Sequence, residues 1–111
     1  VRQLKTLTVP ARMMRRVGFP LSQKLIEREW IITQGTIDGT HYARQFGVAL
    51  NVAGGTHHAY PDRGEGFCLL NDVGVAAHYL LETGGAKRIL VIDLDVHQGN
   101  GTAVMFAHEP R

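Results

Sequence analysis

A chain of 111 residues, 44% hydrophobic and 20% charged, with no low-complexity tract, has the make-up of one small globular domain and excludes both a disordered tail and a two-domain protein. Net charge is only +2, and Cys68 is the only cysteine, so an internal disulfide is excluded and a reducing, cytoplasmic setting is expected. The longest aliphatic stretch, Ile89-Leu90-Val91-Ile92, falls far short of the roughly 20 residues that cross a bilayer, so no membrane association is expected.

In chain order, the first segment is basic: Arg2, Lys5, Arg12, Arg15, Arg16, Lys24 and Arg28 precede residue 30, opposed only by Glu27 and Glu29. Without interleaved aromatic residues for base stacking, this reads as a solvated or covered face, and no direct nucleic-acid binding is expected. Pro10, Gly18 and Pro20 break any long element and leave a short extended piece near Leu4 to Val9. Ser22 is placed to cap a helix that ends near Gln34-Gly35, and a second helix is expected from about Thr36 to Phe46, closed by Gly47.

Val48 to Val52 then reads as a short buried strand stopping at Gly54-Gly55, and His57 to Cys68 as a loop. Asn71 or Asp72 can cap the next helix, whose apolar face is Val73, Ala76, Ala77 and Leu80, and Gly84-Gly85 ends it. Arg88 to Asp93 is a β-branched apolar strand, and Gly99 to Gly101 turns the chain into a last helix near Thr102 to Ala107. This alternation predicts a three-layer α/β/α architecture around a mostly parallel sheet, in which ligands sit beyond the carboxyl ends of strands. Val1 in place of methionine, and an end at Arg111 without a helix cap, suggest that residues 1–111 are an incomplete domain.

Two clusters fall at such strand ends. In Asp93-Leu94-Asp95-Val96-His97 the polar residues alternate with apolar ones, so an extended backbone would project all three to one side. Asp95 and His97 together offer an oxygen and an imidazole nitrogen, donors suited to zinc or another borderline divalent metal. An isolated Asp-x-His more often caps a turn. Here two carboxylates at the mouth of an apolar strand would repel one another unless a cation offset them. The second cluster is Gly54-Gly55-Thr56-His57-His58, where paired glycines allow a sharp turn and imidazoles can move a proton near neutral pH. Cys68, between Phe67 and Leu69, reads as a buried, inert thiol, and His41, His78 and His108 as structural.

Gly54-Gly55-Thr56-His57-His58-Ala59, then Gly66-Phe67-Cys68 with Asn71-Asp72, then Asp93 to Gly101 resemble, in that order, the zinc-dependent histone deacetylase family and its acetoin-utilisation and acetylpolyamine relatives. The resemblance covers about residues 17–111. It implies an arginase-deacetylase type fold and hydrolysis of an acetyl-lysine-like amide, with an acetylated lysine side chain or a small acetylated amine as substrate. It further implies Asp95 and His97 as ligands of one catalytic Zn2+, His57 and His58 as the proton-handling pair, and Asp93 as the acid that orients the first of them. Asn100 matches the position beside the second histidine, Gly66 and Phe67 match the channel wall, and Asp93, Asp95 and His97 match a structural K+ site. The family's third ligand, an aspartate, and its tyrosine lie downstream of the Asp-x-His motif, so residues 1–111 alone are expected to be inactive.

Two other readings stay open: a non-catalytic binding or scaffold protein that retains the fold, and an arginase-like hydrolase with two manganese ions. Gln98 and Asn100 stand where the second of these would favour further aspartates.

Overall fold

Five helices make up the regular structure among residues 2–111, the residues that the computed structural model describes: α1 (Arg2–Lys5), α2 (Ala11–Val17), α3 (Gln23–Phe46), α4 (Asp72–Glu82) and α5 (Asn100–Met105). Of the piece expected to be extended near Leu4 to Val9, Leu4 and Lys5 lie in α1 and Thr6 and Leu7 turn after it. The apolar residues of the N-terminal segment explain the difference, because Leu4, Met14 and Val17 are buried together with Ile26 and Leu69, and Phe19, Leu21 and Trp30 pack around them. Pro10 sits just before the first turn of α2, where its missing N–H leaves no helical bond unmade, and Gly18, at φ 84°, closes the helix.

α3 starts and stops where its caps dictate. Ser22 has extended backbone and its Oγ accepts the Leu25 N–H at 3.1 Å, while Gly47, at φ 90°, donates its N–H to the Ala43 carbonyl. The helix nevertheless runs straight through Gln34-Gly35, where a break was expected. Gly35 serves a contact instead: a Cβ there would stand 3.3 Å from Asn51 Nδ2, and that amide donates to the Ile32 carbonyl at 3.0 Å and to Thr36 Oγ1 at 2.7 Å. The glycine therefore lets the following segment lie against the helix, which outweighs its weak helix propensity.

α4 is capped by Asn71, whose Oδ1 accepts the Gly74 N–H at 2.8 Å, and it buries Ala76, Ala77 and Leu81. It packs along α3, where His41 Nε2 and Tyr79 Oη lie 3.1 Å apart, and it also packs against α5, where Gly74 meets the Met105 side chain. α5 covers Asn100–Met105, two residues earlier than its apolar pattern suggested. His78 stacks on Phe106, with 4.7 Å between ring centroids, which gives it a packing role.

The expected sheet is absent among the described residues; the only bridge is an isolated antiparallel one between Glu65 and Cys68. Residues 48–52 and 88–93, both read as buried strands, have no ladder, and several of their apolar side chains face outward, with Val52 fully exposed and Leu50 and Leu90 at 90% and 81%. The physical reason is that a strand, unlike a helix, has no internal hydrogen bonds and exists only beside a neighbour. Between α4, α5 and residues 89–91 lies an open hollow of about 380 Å³ lined by Ala77, Leu81, Ile89, Val91 and Phe106. No helix among the described residues is long and apolar enough to cross a membrane.

Candidate active site

The loop from Gly54 to Ala59 carries both adjacent histidines, and it is fixed from three helices. The Asp72 carboxylate, at the start of α4, accepts the Gly55 N–H at 3.0 Å, the Thr56 N–H at 2.7 Å and the Thr56 hydroxyl at 2.6 Å. Its other oxygen accepts the Thr36 hydroxyl of α3 at 2.6 Å. Burial pushes the Asp72 carboxyl up, but these donors outweigh it and hold the group below the ordinary carboxylate range. The Asn71 amide donates to the Ala59 carbonyl at 3.1 Å and to Thr102 Oγ1 at 2.9 Å, while Thr102 N–H of α5 donates to the His57 carbonyl at 3.1 Å. Gly101 lies so close under this loop that a Cβ would collide with the Ala59 carbonyl.

This clamp was only half visible in the sequence. Asn71 and Asp72 stand out as two polar residues ahead of an apolar helix face, which identifies a cap. That the second is fully buried and grips a loop 16 residues earlier depends on how α4 lies against α3.

Within the clamp, His57 is buried and its Nδ1 lies 2.6 Å from Asp93 Oδ2. Asp93 Oδ1 accepts the Asp95 N–H at 3.0 Å, and Asp95 Oδ1 in turn accepts the His97 N–H at 2.7 Å. The stretch bends at residues 95–97 and has no strand pairing, yet these two-residue side-chain turns bring Asp93, Asp95 and His97 to one side. The hydrogen bond from His57 and then that from the Asp95 N–H lower the Asp93 carboxyl, and the N–H and ring of His97 lower that of Asp95. Both acids therefore stay ionised near neutral pH.

Asp95 Oδ1 lies 2.9 Å from His97 Nδ1 and 3.9 Å from His57 Nε2. The His57 and His58 rings are 4.3 Å apart, and those of His58 and His97 6.1 Å. Two donors on a tetrahedral zinc ion, each about 2.0 Å from it, stand roughly 3.3 Å apart, so Asp95 and His97 need to open by only a few tenths of an ångström to share one. The chemistry of the pair, one carboxylate and one imidazole, fits zinc. No group of three or more His, Cys, Asp or Glu side chains is gathered for a metal among the described residues.

The second histidine is oriented as firmly as the first. His58 Nδ1 lies 2.7 Å from Asn100 Oδ1, and that same oxygen accepts the Gly101 N–H at 3.0 Å, which fixes which end of the amide faces the ring. Since carboxylate and amide oxygens only accept, Nδ1 carries the hydrogen in both rings. In the neutral tautomers both Nε2 atoms are therefore free to take a proton.

Gly66 lies against the second of these histidines, and Phe67 follows it. Gly66, at φ 54°, brings its backbone against His58, so that a Cβ would lie 2.7 Å from the ring. Phe67 also has positive φ, is 64% exposed and packs on Phe19 at 5.3 Å between centroids. Its strained backbone is held by two bonds to α2, Gly66 N–H to the Arg16 carbonyl at 3.0 Å and Phe67 N–H to the Val17 carbonyl at 2.8 Å. Cys68 is buried, its Sγ is 3.4 Å from the Gly66 carbonyl, and burial pushes its thiol up, which suits an unreactive side chain.

Residues 3–111 match the protein family described as the histone deacetylase domain. An uncharacterised protein of Picosynechococcus is 46% identical over 103 residues, which cover 93% of this chain and 34% of that protein. Histone deacetylase 2 of Arabidopsis thaliana is 42% identical over 67 residues, covering 60% of this chain and 17% of the relative. The acetoin utilization protein AcuC of Staphylococcus aureus is 46% identical over 63 residues, covering 54% and 16%. The chain thus spans about a third or less of the length of these curated relatives.

Proposed function

The chain belongs to the histone deacetylase family, and we propose that it carries the proton-handling half and two metal ligands of a zinc-dependent hydrolase that removes acetyl groups from acetyl-lysine-like amides. The observation that supports this most directly is the convergence of His57, His58, Asp95 and His97, with both Nε2 atoms left free by the partners of Nδ1. Asp95 and His97 would hold the zinc. When bound, that ion supplies a Lewis acid that lowers the pKa of water and polarises a carbonyl.

The residues of this chain then have separable tasks. His57 presents Nε2 beside Asp95 as a proton acceptor, and Asp93 fixes its tautomer and stabilises its charged form. His58 presents a second Nε2 next to the channel wall, placed to hand a proton to the departing amine. Asn100 orients that ring but, being neutral, stabilises its charged form less than a carboxylate would. Gly66 leaves the space for His58, and Phe67 shields one side of the acyl-lysine arm from water.

A structural K+ at Asp93, Asp95 and His97, and a cytoplasmic setting, belong to the same proposal. The third zinc ligand and the group that polarises the amide carbonyl would come from residues other than these.

The test is zinc-dependent release of acetate from an acetyl-lysine peptide by the full-length protein. We expect turnover that a chelator abolishes and zinc restores, and a loss of at least about 100-fold in kcat/KM for His57→Ala. A zinc-loaded, folded protein that releases no acetate from peptide or small amide would overturn the assignment.

A further inference from the structure

Resting on the deacetylase reading, we propose that Arg12, Arg16 and Arg63 form a cationic rim beside the substrate channel that selects acyl-lysines flanked by acidic residues over cation-flanked or polyamine amides.

Arg12 and Arg16 are one turn apart on α2, both exposed, and together with Met13, Asp62 and Arg63 they line one open surface cavity of about 410 Å³. The cavity thus gathers three guanidiniums against a single carboxylate. That carboxylate is already engaged: Asp62 Oδ1 lies 3.1 Å from Arg63 Nη1. Arg63 is held further by Glu65, 3.7 Å from its Nε, and by the Tyr60 ring, whose centroid is 3.6 Å from the guanidinium carbon. Among the described residues no carboxylate lies within ion-pair distance of Arg12 or Arg16. Two like charges four residues apart weaken a short helix unless an anion joins them.

Location ties this rim to the channel. The carbonyls of Arg16 and Val17 accept the N–H groups of Gly66 and Phe67, and the Phe67 ring lies against Gly18. The last turn of α2 and the channel wall are therefore one unit. A peptide whose acyl-lysine passes Phe67 lays its neighbouring residues along α2, within a Debye length of Arg12 and Arg16. Guanidinium forks match carboxylates in geometry as well as charge, and the same field repels the ammonium groups of a polyamine.

The experiment measures binding and turnover separately on the full-length protein, using two fluorescent acetyl-lysine peptides that differ only in carrying Asp or Lys on both sides of the acetyl-lysine. By anisotropy at low salt we expect the Asp peptide to bind about 10-fold more tightly, with the ratio falling below about threefold in Arg12→Gln/Arg16→Gln and at high ionic strength. Arg2→Gln/Lys5→Gln, which removes as much charge from α1, should keep the wild-type ratio. A ratio unchanged in Arg12→Gln/Arg16→Gln, an equal fall in the α1 variant, or no binding of the Asp peptide would each overturn the rim. Failure to release acetate from either peptide, with the binding preference intact, would count against the deacetylase reading instead.

Discussion

Asp72 is the residue on which the histidine loop depends most. One buried carboxylate accepts from the N–H groups of Gly55 and Thr56 and the hydroxyls of Thr36 and Thr56, so its removal takes the partner from four part-buried donors. Asp72→Ala should cost about 3 kcal/mol of stability, read as a fall in Tm. A cost below about 1 kcal/mol would show that the loop holds itself. The pH dependence follows in sign. Because the folded carboxyl titrates below its unfolded value of about 3.9, its contribution is complete above that pH and fades as pH falls through the lower, folded value. Wild type should therefore lose stability in acid more steeply than Asp72→Asn.

Asn100 makes a second prediction at the same scale. Asn100→Asp in the full-length protein places a carboxylate 2.7 Å from His58 Nδ1 and favours the charged ring. The basic limb of the kcat/KM profile, where the proton donor is lost, should then move to higher pH, and identical profiles for the two proteins would remove His58 from the proton inventory. Both residues illustrate what sequence alone could read. The type and spacing of Asn100 were legible as a histidine partner because they belong to a motif, whereas Asp72 looked like a helix cap until α4 was laid against α3.

Among the elements, the helices were largely readable and the strands were not. Caps explain the success: Ser22, Gly47 and Asn71 act through bonds within a few residues, so their effect is local and visible in the order of side chains. Gly35 failed as a signal because glycine marks close approach as readily as it marks an end, and Asn51, 16 residues later, decided which applied. α5 offers the sharpest test at this scale, since Gly101 supports the loop only by lacking a side chain. Gly101→Ala should destabilise the fold by about 1–3 kcal/mol through overpacking against the Ala59 carbonyl, despite alanine's better helix propensity. An unchanged or raised Tm on thermal unfolding would show that α5 can shift without cost.

For the molecule as a whole, the site is a histidine loop clamped by helices, with Val48, Leu50, Val52, Leu90, Ile92, Leu94 and Val96 turned outward. If Asp95 and His97 are the zinc ligands proposed above, the two alone would bind zinc weakly, because a catalytic ion normally has three protein ligands and a water. Calorimetry on residues 1–111 should accordingly show no tight, stoichiometric zinc site, and a submicromolar one would mean that the described residues supply a further ligand.

By itself the sequence determined the family, the ordered motifs, the helix caps and the types of side chain available to the site, because each of these rests on residue chemistry or on contacts a few positions apart. Only the tertiary structure decided which polar residues clamp the histidine loop, how far α3 runs and where the apolar segments face. Those outcomes depend on pairs of groups far apart in the chain, and a segment that needs a partner for its hydrogen bonds carries no internal record of whether the partner is there.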